Sequence, residues 1–279
     1  MEELNHITQD LILTTFDEPF LLVFQTYYMP DGTDGGKILV FATTNDLREL
    51  FRSAVLLLDG TFKIKPHPFA RIRGAQVFTL NTLVGDYPST RMFRRALGIL
   101  PSKSEHCYKT FLVKTLQAAV RDRQIDLTQP GSIRWKAVMC DFELGIHNAL
   151  VDVATNILSL PDLALECCHM HFCSALIANI KTLGLSVAYA TEASGLRHLV
   201  TKLFALAFLP ADHIQEVFEY IVAEKQSDGM RASAQVQQFL NYFKNTYITN
   251  PNIPLECWSV FDRSDQSKRT SNDLEGKHR

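Results

Sequence analysis

Apolar positions fall along the chain in two regimes. To about residue 172 they come in short runs bounded by Gly, Pro, Asp and Asn, and after about residue 174 they recur every three or four positions. In the first regime "PFLLVFQTYY" and "KILVFAT" predict two strands, joined through the Asp- and Gly-rich "MPDGTDGG". "TTNDLRELFRSA" predicts a short helix capped by Thr44 or Asn45. The "VLLLD" run predicts a buried strand over 54–58, "RGAQVFTLNTLVGDYP" two further strands up to Pro88, and "WKAVMCDF" a strand over 136–140. Between them "LPSKSEHCYKTFLVKTLQAAVRDR" carries a capping box from Ser102 to Glu105, with Tyr108, Leu112, Leu116 and Ala119 at helical spacing. A further helix follows Asp141, with Ile146, Leu150, Val153 and Ile157 on one face. "LALECCHMHF" predicts one more strand, running to about Phe172.

From Ser174 the pattern is helical. "GLRHLVTKLFALAF", "DHIQEVFEYIVAEK" and "AQVQQFLNYFKNTYI" each place apolar residues three and four apart. The expectation is an α/β protein: a mixed sheet flanked by helices, carrying an all-helical segment over 174–265.

Composition changes this picture little. The 279 residues are 46% hydrophobic and 21% charged, values that allow a sizeable core. No apolar run approaches the roughly 20 residues that cross a bilayer, so no membrane partner is expected. The polar start "MEELNHITQD" lacks the basic-then-apolar order of a secretory signal, so an intracellular protein is expected. Six cysteines, two of them adjacent, do not form a disulfide framework and point to a reducing compartment. A net charge of −2 does not announce a nucleic-acid binder, so any basic surface has to be local. Lys63, Lys65, Arg71 and Arg73 form one such stretch, suited to phosphate contact or to a solvated loop.

The candidate chemistry lies at two strand ends. Asp59 and Asp141 each follow a buried apolar strand, and neighbouring strand ends in an α/β sheet meet at a common edge. Each Asp can cap the turn after its strand. Converging, the two carboxylates would repel unless a divalent cation neutralised them, and hard oxygen ligands favour Mg²⁺ or Mn²⁺. Glu275, in "RTSNDLEGKHR", stands where Asn272 could cap a helix, as a capping-box residue or as a third carboxylate.

Five blocks in order, "DGTFK", "ALGILPSKSEHCYKTF", "CDFELGIHNAL", "CCHMHF" and "RTSNDLEGKH", resemble the transposases of Mutator-like elements. The resemblance runs from about "ILVFATTNDLRELF" to the last residue. It implies a ribonuclease H-like fold with a helical insertion before the last acidic residue. The segments implied are a strand and helix extension over 1–50, a core over 51–173, the insertion over 174–265, and the start of a C-terminal catalytic helix over 266–279. It further implies a catalytic and metal-binding triad of Asp59, Asp141 and Glu275, separated by 82 (141 − 59) and 134 (275 − 141) residues. Two Mg²⁺ or Mn²⁺ ions held by this triad would serve phosphodiester cleavage and strand transfer.

DNA as partner, a homo-oligomer in the DNA complex and nuclear residence are likewise implied. The family's Cys-x-x-His signature falls on Cys168 and His171. A zinc site takes four ligands, usually as two such pairs, and only one pair is evident, so the expectation is a structural or supporting role without zinc. On a strand, residues three apart also face opposite sides. Glu143 and His278 are expected to support the site or to pack. With four residues after Glu275, the C-terminal helix is expected to be truncated and the activity weak. The alternative function is that of a catalytically inactive, transposase-derived protein that binds DNA or protein.

Overall fold

The computed structural model describes residues 13, 18–61, 71–72, 74–85, 89–129, 131–192, 195–227 and 234–263. The chain divides into two compact units, Met1–Leu165 and Glu166–Arg279. The first unit is built on a mixed sheet flanked by helices. Its strands are β1 (Leu21–Tyr28), β2 (Asp34–Phe41), β3 (Val55–Thr61), β4 (Gln76–Val84), β5 (Arg91–Leu100) and β6 (Ala137–Cys140), and the unit boundary falls inside β7 (Ala164–Cys167). The spatial order is β1-β2-β5-β4-β3-β6-β7. Neighbours from β1 to β3 are antiparallel, and β3 and β6 are parallel.

Among the described residues this unit has helices α1 (Thr44–Arg52), α2 (Glu105–Arg121) and α3 (Leu144–Asn156). Leu47, Leu50 and Phe51 of α1, Tyr108, Phe111 and Leu112 of α2, and Ile146 and Leu150 of α3 join Leu56, Leu58, Phe78 and Val138 of the sheet in one buried cluster. Each such side chain taken fully out of water contributes about 1.5–3 kcal/mol. Gly98 on β5 makes room for α2, because a Cβ there would meet the Phe111 ring at 2.5 Å.

Helix starts are set by side-chain caps. Thr43, rather than Thr44 or Asn45, caps α1: its Oγ1 accepts the Asp46 N–H at 3.1 Å and donates to Asp46 Oδ2 at 2.7 Å. Ser104, rather than Ser102, caps α2, accepting the Cys107 N–H at 3.2 Å, while Ser102 Oγ accepts the Ser104 N–H. In both cases several hydroxyl or amide side chains stand in a row, and the one whose backbone turns extended becomes the cap.

Two strand expectations are corrected. Among the described residues of 73–88 there is one strand, β4, rather than two, paired antiparallel with β3 and β5. The arginines in "RMFRRALGIL" hide β5 from a hydrophobicity reading. Arg95 is structural: its Nε donates to Thr82 on β4 at 2.9 Å and its guanidinium pairs with Asp46 on α1 at 3.2 Å. The other correction concerns "LALECCHMHF", where β7 ends at Cys167 and helix begins at His169, not near Ser174.

The second unit is helical from that point in all its described elements: α4 (His169–Thr182), α5 (Ser186–Ala190), α6 (Leu196–Ala205), α7 (Ala211–Ser227), α8 (Ala234–Phe243) and α9 (Leu255–Trp258). A 3-10 turn (Leu206–Phe208) follows α6 and a π-helical stretch (Lys244–Ile248) follows α8. The apolar faces meet in an aromatic core. Phe172 stacks on Trp258 with ring centroids 5.0 Å apart and lies edge-on to Tyr247 at 5.0 Å. No helix among the described residues is long and apolar enough to cross a membrane.

Candidate functional site

β3 and β6 carry the two candidate aspartates. Their parallel pairing matches Val55 with Ala137, Leu56 with Val138 and Leu57 with Met139, a constant offset of 82 residues. That is the sequence separation of Asp59 and Asp141 (141 − 59). Extended two residues past the last paired residues, that offset would match Asp59 with Asp141, the residue after β6. Side chains alternate along a strand, and Leu56 and Leu58 point into the helix-covered core, so Asp59 lies on the opposite face with Leu57.

The strand ends are unequal. Asp59 does not terminate β3, as expected, but sits within it opposite Thr79 of β4, and pairing continues through Gly60 and Thr61. β4 supports this end of β3 with buried polar side chains. Asn81 Nδ2 donates to the Leu57 carbonyl at 3.0 Å and Thr79 Oγ1 to the Asp59 carbonyl at 3.3 Å. Asp141 lies one residue beyond β6 and is held by Glu143 and His147 at the start of α3. Its Oδ1 accepts the Glu143 N–H at 3.2 Å, and its carbonyl accepts His147 Nε2 at 2.8 Å.

A polar chain runs near Asp141. Gln76 Nε2 donates to the Tyr108 hydroxyl at 2.6 Å, Tyr108 donates to Glu143 Oε1 at 2.8 Å, and Lys103 Nζ reaches Glu143 Oε2 at 3.2 Å. Burial pushes the Tyr108 phenol far above its ordinary range; the Gln76 hydrogen bond opposes this, and the negative charges of Glu143 and Asp141 add to it. Tyr108 therefore stays protonated and remains a donor. The Glu143 carboxylate is tied to Tyr108 and Lys103.

The glycines of two sequence blocks have steric reasons. A Cβ on Gly60 would stand 2.3 Å from Gln76 Oε1, and one on Gly145 would stand 2.9 Å from the Lys103 carbonyl. Gly60 thus lets the Gln76 amide lie across the Asp-Gly step, and Gly145 lets the start of α3 approach the segment that leads into α2.

Of the remaining candidates, Arg71 is exposed, and Lys63, Lys65, Arg73, Glu275 and His278 lie outside the described residues. Cys168 is the buried N-cap of α4, and His171 sits in the first turn. The two are therefore three apart across a helical turn, not along a strand, and the opposite-face expectation does not hold for them.

Sequence reasoning missed Gln76, read only as part of a strand, and His147, whose ring is buried beneath the aspartate it holds. It also missed a cavity of about 390 Å³ lined by Arg52, Arg123, Arg134 and Gln124. Arg52 and Arg134 precede β3 and β6, so this basic cavity lies at the end of those strands away from the aspartates. Compared with models of known protein families, with characterised proteins and with solved structures, the chain matches none.

Proposed function

We propose that this chain carries the catalytic domain of a DNA transposase of the Mutator-like kind, in which Asp59 and Asp141 hold divalent cations for phosphodiester cleavage and strand transfer. The carrying observation is the parallel pairing of β3 with β6, whose offset of 82 residues equals the separation of Asp59 and Asp141. A seven-stranded mixed sheet flanked by helices is compatible with a ribonuclease H-like core. In this reading Glu275 is the third carboxylate, and the helices after His169 belong to the insertion that precedes it.

The donor set fits the cation. Both groups supply oxygen only, and both stand on backbone fixed by neighbouring elements, the preorganisation a metal site needs. Mg²⁺ or Mn²⁺ bound there would supply Lewis-acid polarisation of the phosphoryl group and a more acidic attacking hydroxyl. The protein's own residues keep the aspartates in place. β4 fixes Asp59 through its ladder, and His147 and the Glu143 N–H fix Asp141. Tyr108 and Lys103 hold the Glu143 carboxylate. Lys63, Lys65, Arg71 and Arg73 follow Asp59 in sequence and would meet DNA phosphates, and the nucleus would be the place of action.

The test is nicking of a labelled duplex bearing the element's terminal repeat, with Mg²⁺, with Mn²⁺ and with chelator. Divalent-dependent nicking that disappears in Asp59→Ala and Asp141→Ala, with the thermal unfolding transition kept, supports the reading. Nicking that survives Asp141→Ala sinks the catalytic assignment. Duplex binding with no nicking under any metal identifies an inactive, DNA-binding derivative instead.

A further inference from the structure

In the unit Glu166–Arg279 the sulfurs of Cys167 and Cys257, 90 residues apart in sequence, approach to 2.9 Å. A covalent S–S bond measures about 2.05 Å. Two thiolates on one tetrahedral zinc, with Zn–S near 2.3 Å, stand about 3.8 Å apart. The observed approach is shorter than that zinc-bound spacing and nearer to bonding distance.

The backbones on either side are fixed by one residue. Arg263, only 6% exposed, donates from one guanidinium nitrogen to the Cys167 carbonyl at 2.9 Å and from the other to the Cys257 carbonyl at 2.8 Å. Its Nε faces Glu166 at 3.5 Å. A planar guanidinium holding two carbonyls is a rigid fork. Trp258, stacked on Phe172, anchors α9 at the residue after Cys257. The chain segments that carry the two thiols are thus held by the same guanidinium.

We infer that Cys167 and Cys257 form a redox modification site, a dithiol that a hydroperoxide closes to a disulfide. Both residues are buried, Cys257 at 4% exposure and Cys167 at 0%, so the oxidant must be small and Cys257 meets it first. The Cys257 thiolate sulfur attacks one peroxide oxygen and the O–O bond breaks. The departing oxygen takes up a proton, leaving a sulfenic acid on Cys257. The Cys167 sulfur then attacks the Cys257 sulfur; the S–S bond forms, the S–O bond breaks, and hydroxide leaves as water with the Cys167 proton. Two thiols are oxidised by two electrons, and one hydroperoxide is reduced to an alcohol and water. A thiol reductant reverses the bond by exchange. Such transient disulfides belong to reducing compartments, where structural ones are rare.

The experiment treats the full reduced chain with hydrogen peroxide, blocks remaining thiols with N-ethylmaleimide in denaturant, and maps linkages by mass spectrometry. Peptide fragmentation distinguishes Cys167 from Cys168 and Cys173. The expected product is a Cys167–Cys257 link, two hydrogens lighter than the thiols, reversed by dithiothreitol and absent in Cys257→Ser. Closing so long a loop raises the thermal midpoint by roughly 5–10 °C in the parent chain, and not in the variant. Six alkylated thiols after peroxide, sulfinic acid without a link, or a link from Cys167 to any other cysteine would each overturn the inference. Should Cys257→Ser fail to fold, the linkage map of the parent chain decides alone.

Discussion

Asp59 on β3 and Asp141, the residue after β6, are 82 residues apart (141 − 59), the same offset at which the two strands pair. Two carboxylates brought together on adjacent strands would repel unless a cation lay between them. Asp141→Asn retains the oxygen that accepts the Glu143 N–H and removes one charge. In chelator this variant is expected to unfold later than the parent chain, by about 0.5–1 kcal/mol. Mg²⁺ or Mn²⁺ should raise the parent's thermal midpoint and leave that of the variant unchanged. Calorimetry with and without metal reads both effects, and a parent chain indifferent to either ion counts against a metal-holding pair.

Gly60 and Gln76 form a second testable pair. Gly60→Ala drives a methyl into Gln76 Oε1, and Gln76 is 1% exposed with little room to retreat. The amide must leave Tyr108, which costs about 1–3 kcal/mol in buried hydrogen bonding. Combined with Gln76→Ala, the same substitution should cost much less, since the obstructing side chain is gone. A double-mutant cycle by urea denaturation measures the coupling, and additive effects would show that the contact does not explain the glycine.

The cap of α2 separates two serines that lie two residues apart. Ser104 accepts the Cys107 N–H and also bonds Tyr27 through its hydroxyl at 2.9 Å. Ser104→Ala is expected to cost about 1–2 kcal/mol, the upper part of the N-cap range, whereas Ser102→Ala should stay under about 0.5 kcal/mol. Equal losses in the two variants would restore the capping box that the sequence suggested.

Much of the arrangement was legible from the sequence because its signals were local. Leu56–Leu58 and Val138–Cys140 lie in apolar runs bounded by an Asp, a pattern that suits a buried strand, and each leads to its aspartate. The spacing of Leu199, Leu203, Phe218, Phe239 and Phe243 reports helices directly. What was not legible depends on partners distant in the chain. β5 looks too charged for a strand until Arg95 is seen meeting Thr82 and Asp46. The strand pattern of "ECCHMHF" gave no sign that helix starts at His169, since buried strand and buried helix share one composition over so short a run. His147 reads as a polar interruption of an apolar helix face, and only the fold shows the carbonyl of Asp141 above it.

Alkaline pH provides a last test of the core beside the site. Burial pushes the Cys107 thiol up from its ordinary 9.0 to about 12, and it pushes the Tyr108 phenol further still from 10.0. Both groups are neutral in the folded chain at pH values where the unfolded chain has lost the proton. Between pH 9 and the folded-state values the unfolded state binds fewer protons, so the unfolding free energy falls as pH rises. Their contribution is fully present below pH 9, and each ionising group then removes up to about 1.4 kcal/mol per pH unit. Cys107→Ala should be weaker at neutral pH, by about 1 kcal/mol for the lost sulfur, yet decline less steeply above pH 9. Tyr108→Phe should lose about 1–3 kcal/mol at neutral pH, because Glu143 and the Gln76 amide lose their shared partner, and its decline should flatten only above pH 10. Urea midpoints measured at about pH 8, 9.5 and 10.5 distinguish the two onsets. Parallel curves for the parent and both variants would mean that neither group is held neutral by the fold.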